Sequence, residues 1–285
     1  VNILIINLGP HGDVLRTTIL LNQFQHDNIY WLTSVRNKDI LNSPLIKKVF
    51  FVESISIDFE YHLIKYDIVI SLNEEHPFKN EVQYNKIIGV KKDRSYTIDS
   101  AYWFNMSLIS VFGEEEANRL KKKNRKSYNQ ILIEMVGGTW NEQEYQIDYK
   151  PIESNKIGLI KSVNGIWRSK KWNGFDELYE RLSKDFEVSF LDLKPTVKEH
   201  IEDINNCRLI VCPDTLGMHI AIALKKKVVA LFNCTSPYEI YDYGRVTKIV
   251  SPLYEEQFYT KECSEELFNS ISVDEVYNGV ITSLK

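Results

Sequence analysis

The chain has 285 residues, a length that suits two domains of about 140 residues each. Apolar residues make up 44% and charged residues 26%, the balance of a soluble globular protein with sizeable cores. The net charge is −4 at pH 7, so there is no overall basic field and nucleic acid is not an expected partner. The four cysteines, Cys207, Cys212, Cys234 and Cys263, form no C-x-x-C pair and no zinc-finger spacing. They read as structural thiols in a reduced, cytoplasmic protein, with no metal site. No apolar run reaches the roughly 18 residues that cross a bilayer, and the opening Val1 to Ile6 reads as a strand rather than a leader.

Along the first half, short β-rich apolar runs alternate with amphipathic stretches. Ile3 to Leu8, Ile29 to Leu32, Val49 to Val52, Ile68 to Leu72 and Ile87 to Val90 predict strands. They lack polar alternation, as strands do when helices cover both faces of a sheet. Val14 to Phe24 predicts a helix, and the βαβ rhythm predicts a parallel, doubly wound sheet. The rhythm then lapses. Tyr96 to Phe112 is aromatic-rich, and Glu114 to Lys126 is densely charged. It ends in a basic knot of Lys121, Lys122, Lys123, Arg125 and Lys126, read either as a solvated helix end or as a contact for an anionic acceptor or a membrane surface.

A second rhythm begins near Ile157, after a join around Gln143 to Ser154, and sets domains at residues 1–150 and 151–285. Its predicted strands are Lys156 to Ile160, Val188 to Leu193, Leu209 to Cys212, Val228 to Phe232 and Lys248 to Val250. Its predicted helices are Phe175 to Leu182, Val197 to Ile204, Thr215 to Leu224, and Val273 to Leu284 with Ser272 as cap.

Three polar turns stand where strands run into helices, the place at which open α/β sheets bind ligands. The first is Gly9-Pro10-His11-Gly12-Asp13, followed by Arg16, Thr17 and Thr18. It is not G-x-G-x-x-G and no G-K-[ST] follows, which weighs against nicotinamide-binding and P-loop readings. Asp13 at a helix start is either a cap favoured by the helix dipole or a proton acceptor. An anion there repels phosphate, so a phosphorylated ligand belongs elsewhere. His11 and Arg16 stand ready to pair with Asp13 or with an anionic acceptor. The second turn is Asp214-Thr215-Leu216-Gly217-Met218-His219. Helix amides after Thr215 would point at an anion, and Thr215 and His219, four apart, share a helical face. His219 taken alone reads as a packed residue. The third is Trp167-Arg168-Ser169-Lys170-Lys171-Trp172, after Asn164 and Gly165. It reads as an exposed basic loop or as a cationic contact for a pyrophosphate.

Together these turns resemble the bacterial heptosyltransferases, glycosyltransferase family 9. Gly12-Asp13 with Thr17 and Thr18 follows that family's first turn. Lys170-Lys171-Trp172 matches its Lys-x-Trp motif, and Asp214 to His219 fits its Asp-Thr-x-Gly-x-His motif. Ala221, Ala223, Val228 to Phe232 and Thr235-Ser236-Pro237 continue its order, and Cys263 to Val276 resembles its closing pattern. The resemblance is weak across residues 73–150. It implies a GT-B architecture: two facing Rossmann-like, doubly wound α/β domains, the acceptor on the first and the nucleotide-sugar donor on the second. It further implies an inverting enzyme without metal or cofactor, and ADP-heptose as donor. Asp13 resembles the general base, Lys170 a phosphate-contacting lysine, and Asp214, Thr215, Leu216, Gly217 and His219 the donor-diphosphate loop. The chain departs from the pattern at Lys161 to Gly165 and between Leu191 and Asn206, where only Asp192 offers an acidic ribose contact. The expected acceptor is a glycan, a lipopolysaccharide-type lipid or a protein hydroxyl, with peripheral contact at the inner face of the membrane. Two other readings compete: a nucleotide-sugar-binding module without catalysis, which does not need Asp13, and a nucleotide-sugar epimerase, which needs more carboxylates near Asp214 than the sequence offers.

Overall fold

The opening apolar run becomes a central strand. The computed structural model describes residues 1–54, 58–73, 82–91, 95–100, 113–163, 165–191 and 193–285. In it, β1 (Asn2–Ile6) pairs in parallel with β2 (Asn28–Thr33) on one side and β4 (Lys65–Ser71) on the other. Ile3, Leu4, Ile5 and Ile6 are all fully buried, because a strand flanked on both edges and covered on both faces shows no side chain to water. With β3 (Ile46–Phe51) and β5 (Gln83–Gly89) the order is β3-β2-β1-β4-β5, all parallel. This first unit spans Val1–Asp148, and a second spans Tyr149–Lys285.

One face of the first sheet is an aromatic core. Tyr30 stacks on Phe50, and Phe50 meets Tyr61 edge-on at 5.1 Å between ring centroids. Tyr61 is delivered by the short helix α3 (Phe59–Leu63), which starts where the Asp58 carboxylate accepts the Tyr61 N–H. Fully burying an aromatic or aliphatic side chain of this size contributes roughly 1.5–3 kcal/mol. The helix expected over Val14 to Phe24 is broken into α1 (His11–Thr17) and α2 (Leu20–Gln23). At the break, the Thr17 and Thr18 hydroxyls donate at 2.7 Å to the carbonyls of Val14 and Leu15. Such back-bonding competes with the helix ladder. The first residues of β5 are exposed, so the polar part of that strand carried no apolar signal.

Two further helices follow, α4 (Glu114–Lys123) and α5 (Tyr128–Met135), the latter capped by the Ser127 hydroxyl. The basic knot is largely committed inside the unit. Lys121 is buried, Arg125 donates to the carbonyls of Lys122 and Asn124, and Lys126 pairs with Glu134 at 2.6 Å. The aromatic stretch over residues 101–112 lies outside the described residues.

The second unit repeats the architecture with a different strand order. Its strands are β6 (Ile157–Leu159), β7 (Val188–Phe190), β8 (Leu209–Pro213), β9 (Lys227–Phe232) and β10 (Val246–Val250). They lie parallel in the order β10-β9-β8-β6-β7. The first unit follows the Rossmann order as far as five strands allow. The second follows the other common doubly wound order, in which the third strand lies beside the first. Its helices are α6 (Phe175–Leu182), α7 (Val197–Asn205), α8 (Leu216–Ala223), α9 (Glu265–Phe268) and α10 (Val273–Leu284). Thr196 and Glu199 close a capping box at the start of α7, and Ser272 caps α10 by accepting the Glu275 N–H. Leu178 and Leu182 of α6 and Val276 and Val280 of α10 join Leu209, Val211, Val229 and Leu231 in one buried cluster. The helix α8 is apolar nearly all round and buried from Gly217 to Ala223, as a helix packed on every side must be.

The segment joining the units is tied down at both ends. On the first unit, Gln146 N–H donates to Thr18 Oγ1 at 3.0 Å, Asn22 donates to the Glu144 carbonyl, and Asp148 N–H donates to Asn42 Oδ1. On the second, Asn205 accepts the Ile152 N–H and donates to the Lys150 carbonyl. The buried Lys226 ammonium donates to the carbonyls of Ile152 and Asn205. Among the described residues no helix is long and apolar enough to cross a membrane.

Candidate functional site

In the second unit the chain reverses direction across the sheet between β6 and β8, and a crevice at the carboxyl ends of such a strand pair is the usual ligand site of doubly wound folds. Both neighbours deliver polar groups there. After β6, a 3-10 turn (Gly165–Lys170) ends at Lys170. After β8, Asp214 and Thr215 lead into α8. Lys170 Nζ donates to Asp214 Oδ2 and to the Asp214 carbonyl, each at 2.8 Å, with the two side chains only 14% and 15% exposed. Burial by itself raises the Asp214 pKa. The Lys170 charge, then His219 and hydrogen bonding from Lys170 and Thr235, outweigh it and hold the carboxyl at about 2. The Thr235 hydroxyl lies beside this carboxylate.

The lysine turn is locked from behind. Trp172 is buried and its indole N–H donates to the Ile271 carbonyl at 2.9 Å. Asn233, just past β9, donates to the carbonyls of Ser169 and Lys171, and Ser169 donates to the Thr260 carbonyl. Of the basic residues in this turn only Lys170 meets Asp214; Arg168 is exposed and Lys171 lies over the Phe268 ring.

The start of α8 is open to an anion. Thr215 holds the N-cap position in extended geometry, yet no side chain caps the helix. The Thr215 hydroxyl is buried without a hydrogen-bond partner, and so is Asn233 Oδ1 at the end of β9. Buried polar atoms are nearly always paired, and leaving one unpaired costs about 1–3 kcal/mol. His219 is buried one turn further along the same helix. At Gly217 a Cβ would come within 2.5 Å of Ile160 Cδ1, so this glycine lets α8 lie close on the end of β6. Lys170, Asp214, Thr215, Gly217 and His219 are therefore gathered in one place, together with Thr235, of the Thr235-Ser236-Pro237 turn, and Asn233, which no motif had singled out. Asn164 and Asp192 lie outside the described residues.

In the first unit the matching reversal falls between β1 and β4. The turn after β1 is held by Asn7, whose Oδ1 accepts the Gly9 N–H at 2.9 Å, and by Arg36 and Asn37, which donate to the Gly9 carbonyl. A Cβ on Gly9 would meet Asn7 Oδ1 at 2.9 Å. Asp13 stands in the first turn of α1, whose N-cap Pro10 offers no side-chain hydrogen bond, and Gly12 precedes it in the helix. Its carboxylate is 45% exposed and pairs with Arg16 at 2.6 Å. The Arg16 guanidinium lies 4.0 Å above the centre of the Tyr128 ring, which fixes the pair. His11 Nδ1 is 2.7 Å from Asn37 Oδ1, so it contacts Asn37 rather than Asp13 through that nitrogen. Thr17 and Thr18 are buried and spent on backbone carbonyls.

Cys207, Cys212 and Cys234 are buried free thiols, and Cys263 is free and exposed. Burial pushes the Cys207 thiol up to about 11 and the Cys212 thiol higher, which suits packing better than reactivity. Among the described residues no three His, Cys, Asp or Glu side chains gather to hold a metal ion.

Two parallel, doubly wound units, each with polar groups at its strand reversal, define an α/β protein with two Rossmann-like units. More particularly, residues 176–268, within the second unit, match the family model of glycosyltransferase family 9 (heptosyltransferase). The matched stretch includes Asp214 to His219 but neither Lys170 nor Asp13. Among solved structures, the chain is similar to a glycosyl transferase family 9 protein from Veillonella parvula, with 15% identity, a TM-score of 0.64, and 99% of this chain and 97% of that one covered. It is similar to E. coli heptosyltransferase WaaC, solved with ADP-2-deoxy-2-fluoro heptose, at 11% identity and a TM-score of 0.60, covering 99% of each chain. E. coli ADP-heptose LPS heptosyltransferase II gives 13% identity and a TM-score of 0.62, covering 100% of this chain and 98% of that one. At such identities the likeness establishes the shared fold. No curated protein matches the chain by sequence.

Proposed function

We propose that the protein is an inverting, metal-independent glycosyltransferase of the GT-B class that moves a sugar from a nucleoside-diphosphate donor to a hydroxyl. The donor best supported is ADP-heptose, and the acceptor a glycan or lipopolysaccharide-type hydroxyl reached at the inner face of the membrane. The observation that carries this reading is the Lys170–Asp214 pair beside an uncapped helix start and a buried, unpartnered Thr215 hydroxyl. Lysine has three donors. Asp214 takes two from Lys170 and leaves one for a diphosphate oxygen. The α8 amides, Thr215 and His219 supply the remaining donors, aimed where negative charge grows as the sugar leaves. Two of the similar structures were solved with ADP-2-deoxy-2-fluoro heptose and with ADP, which supports that donor.

In the reaction the acceptor oxygen bonds to the anomeric carbon as the bond to the diphosphate breaks. Asp13 takes the acceptor proton, and the leaving diphosphate keeps the electron pair. Arg16 orients the Asp13 carboxylate from one side. That same ion pair favours a second reading, a nucleotide-sugar-binding module in which Asp13 only holds α1.

A thermal-shift panel of ADP, UDP, GDP and CDP with matching sugar nucleotides, with and without EDTA, tests the donor. A ligand at 100 times its Kd adds about 2.7 kcal/mol to the folded state. A shift with the adenine ligands alone, indifferent to EDTA, supports the proposal, and a shift with a different nucleotide overturns the heptose donor. Asp13→Ala then separates the two readings. If the first reading holds, the wild-type chain transfers sugar and Asp13→Ala abolishes transfer while leaving donor binding intact; a wild-type chain that binds donor without transfer, and an Asp13→Ala variant that binds it equally well, support the second.

A further inference from the structure

The loop that carries Lys261 closes around the Lys170 turn, and no motif marks it. Trp167 interrupts the 3-10 turn with φ −110° and ψ 47°, and its ring is met by two ammonium groups. Lys170 Nζ lies 5.4 Å from the ring centroid and Lys261 Nζ lies 5.7 Å from it. Tyr259 meets the same ring edge-on at 5.7 Å.

The loop is pinned on both sides. Tyr259 N–H donates to the Cys234 carbonyl past β9, its hydroxyl donates to the buried Glu239, and the Thr260 carbonyl accepts Ser169 Oγ; each bond is 2.8 Å long. Tyr259 sits at φ 54°, the left-handed region that a tyrosine rarely adopts and that persists only where surrounding contacts impose it. A strained residue two positions away, tethered by two hydrogen bonds of its own and a third to its neighbour Thr260, thus sets where Lys261 stands.

Charge gives the placement a purpose. The Lys170 charge is matched by Asp214. Lys261 makes no ion pair among the described residues, so its charge, unlike that of Lys170, is left available at the same Trp167 ring. We propose that Lys261 is a second cation of the diphosphate site, anchored on the same Trp167 indole as Lys170 and binding the oxygens on which charge grows as the sugar leaves. This rests on the reading of that site as one for a diphosphate.

Inorganic pyrophosphate is the probe, titrated calorimetrically into the full chain at low and at moderate salt. Lys261→Ala should weaken binding at least about tenfold at low salt, the scale of a hydrogen bond to a charged group, and should flatten the salt dependence. Lys261→Arg should restore most of the affinity, and neither variant should change the melting temperature, since Lys261 is exposed. Thr215→Val serves as the control on the site itself. If Thr215→Val loses pyrophosphate while Lys261→Ala binds like wild type, the role of Lys261 is overturned and the diphosphate site stands. Equal losses in Lys261→Ala and Lys261→Arg, with lowered melting temperatures, overturn it in favour of a structural role. If the wild-type chain binds neither pyrophosphate nor any nucleoside diphosphate, both fall.

Discussion

Replacing Asp214 by asparagine tests whether the buried Lys170–Asp214 pair is a charged one. A carboxyl that titrates at about 2 in the folded chain and at its ordinary 3.8 when unfolded contributes ~2 kcal/mol to stability at neutral pH. Because the folded value is the lower one, this contribution is complete above roughly pH 5 and is lost as pH falls through 3.8 toward about 2. Asp214→Asn removes it at every pH and leaves the Lys170 ammonium, 14% exposed, without its counter-charge. Urea unfolding of the two proteins, followed by circular dichroism from about pH 6 down to about pH 2, should give stability curves that converge by ~2 kcal/mol as the solution is acidified. The other carboxylates titrate alike in both and cancel in the difference. Parallel curves, with a gap that does not change with pH, would refute the charged pair and with it the assignment of Lys170 as a cation poised for phosphate.

Thr215→Val removes a buried hydroxyl that has no partner, so the melting temperature of the ligand-free protein should stay level or rise, while diphosphate affinity measured by calorimetry falls roughly tenfold or more. Gly89→Ala should destabilise the first unit by about 2–4 kcal/mol in chemical denaturation, because Gly89 has φ 103° and a Cβ there falls on the Ser71 carbonyl oxygen, which the backbone holds in place.

The strands were readable because a parallel sheet buried on both faces needs unbroken apolar runs, as in Ile3 to Ile6 and Leu209 to Cys212. β5 lost its first half to the same logic: Gln83 to Lys86 are exposed, and exposed residues need not be apolar. The break after Thr17 was hidden because a threonine hydroxyl bonding its own helix leaves no periodic trace. A helix ending at the basic knot was one reading of Glu114 to Lys126, and α4 is that helix, its Glu114 to Glu116 and Lys121 to Lys123 complementing the two ends of the helix dipole; α5 was not predicted, although Ser127 is a standard cap. At the site, Asp214 to His219 was legible as one local turn. Its pairing with Lys170, 44 residues earlier in the chain, depends on which strand lies beside β8, and that is fixed by the order of the sheet rather than by spacing. The place of Asn233 beside the Lys170 turn is likewise a product of topology.

The tethers on either side of Tyr149 define how the protein can be dissected. A cut made a few residues early, before Glu144, strips the first unit of the backbone that Thr18, Asn22 and Asn42 hold, and one made after Ile152 leaves Asn205 and Lys226 with orphaned partners. Separate halves prepared for binding studies should therefore end at Asp148 and begin at Tyr149, a boundary about one residue wide, because a cut on either side takes the hydrogen-bond partners of one unit away with the other.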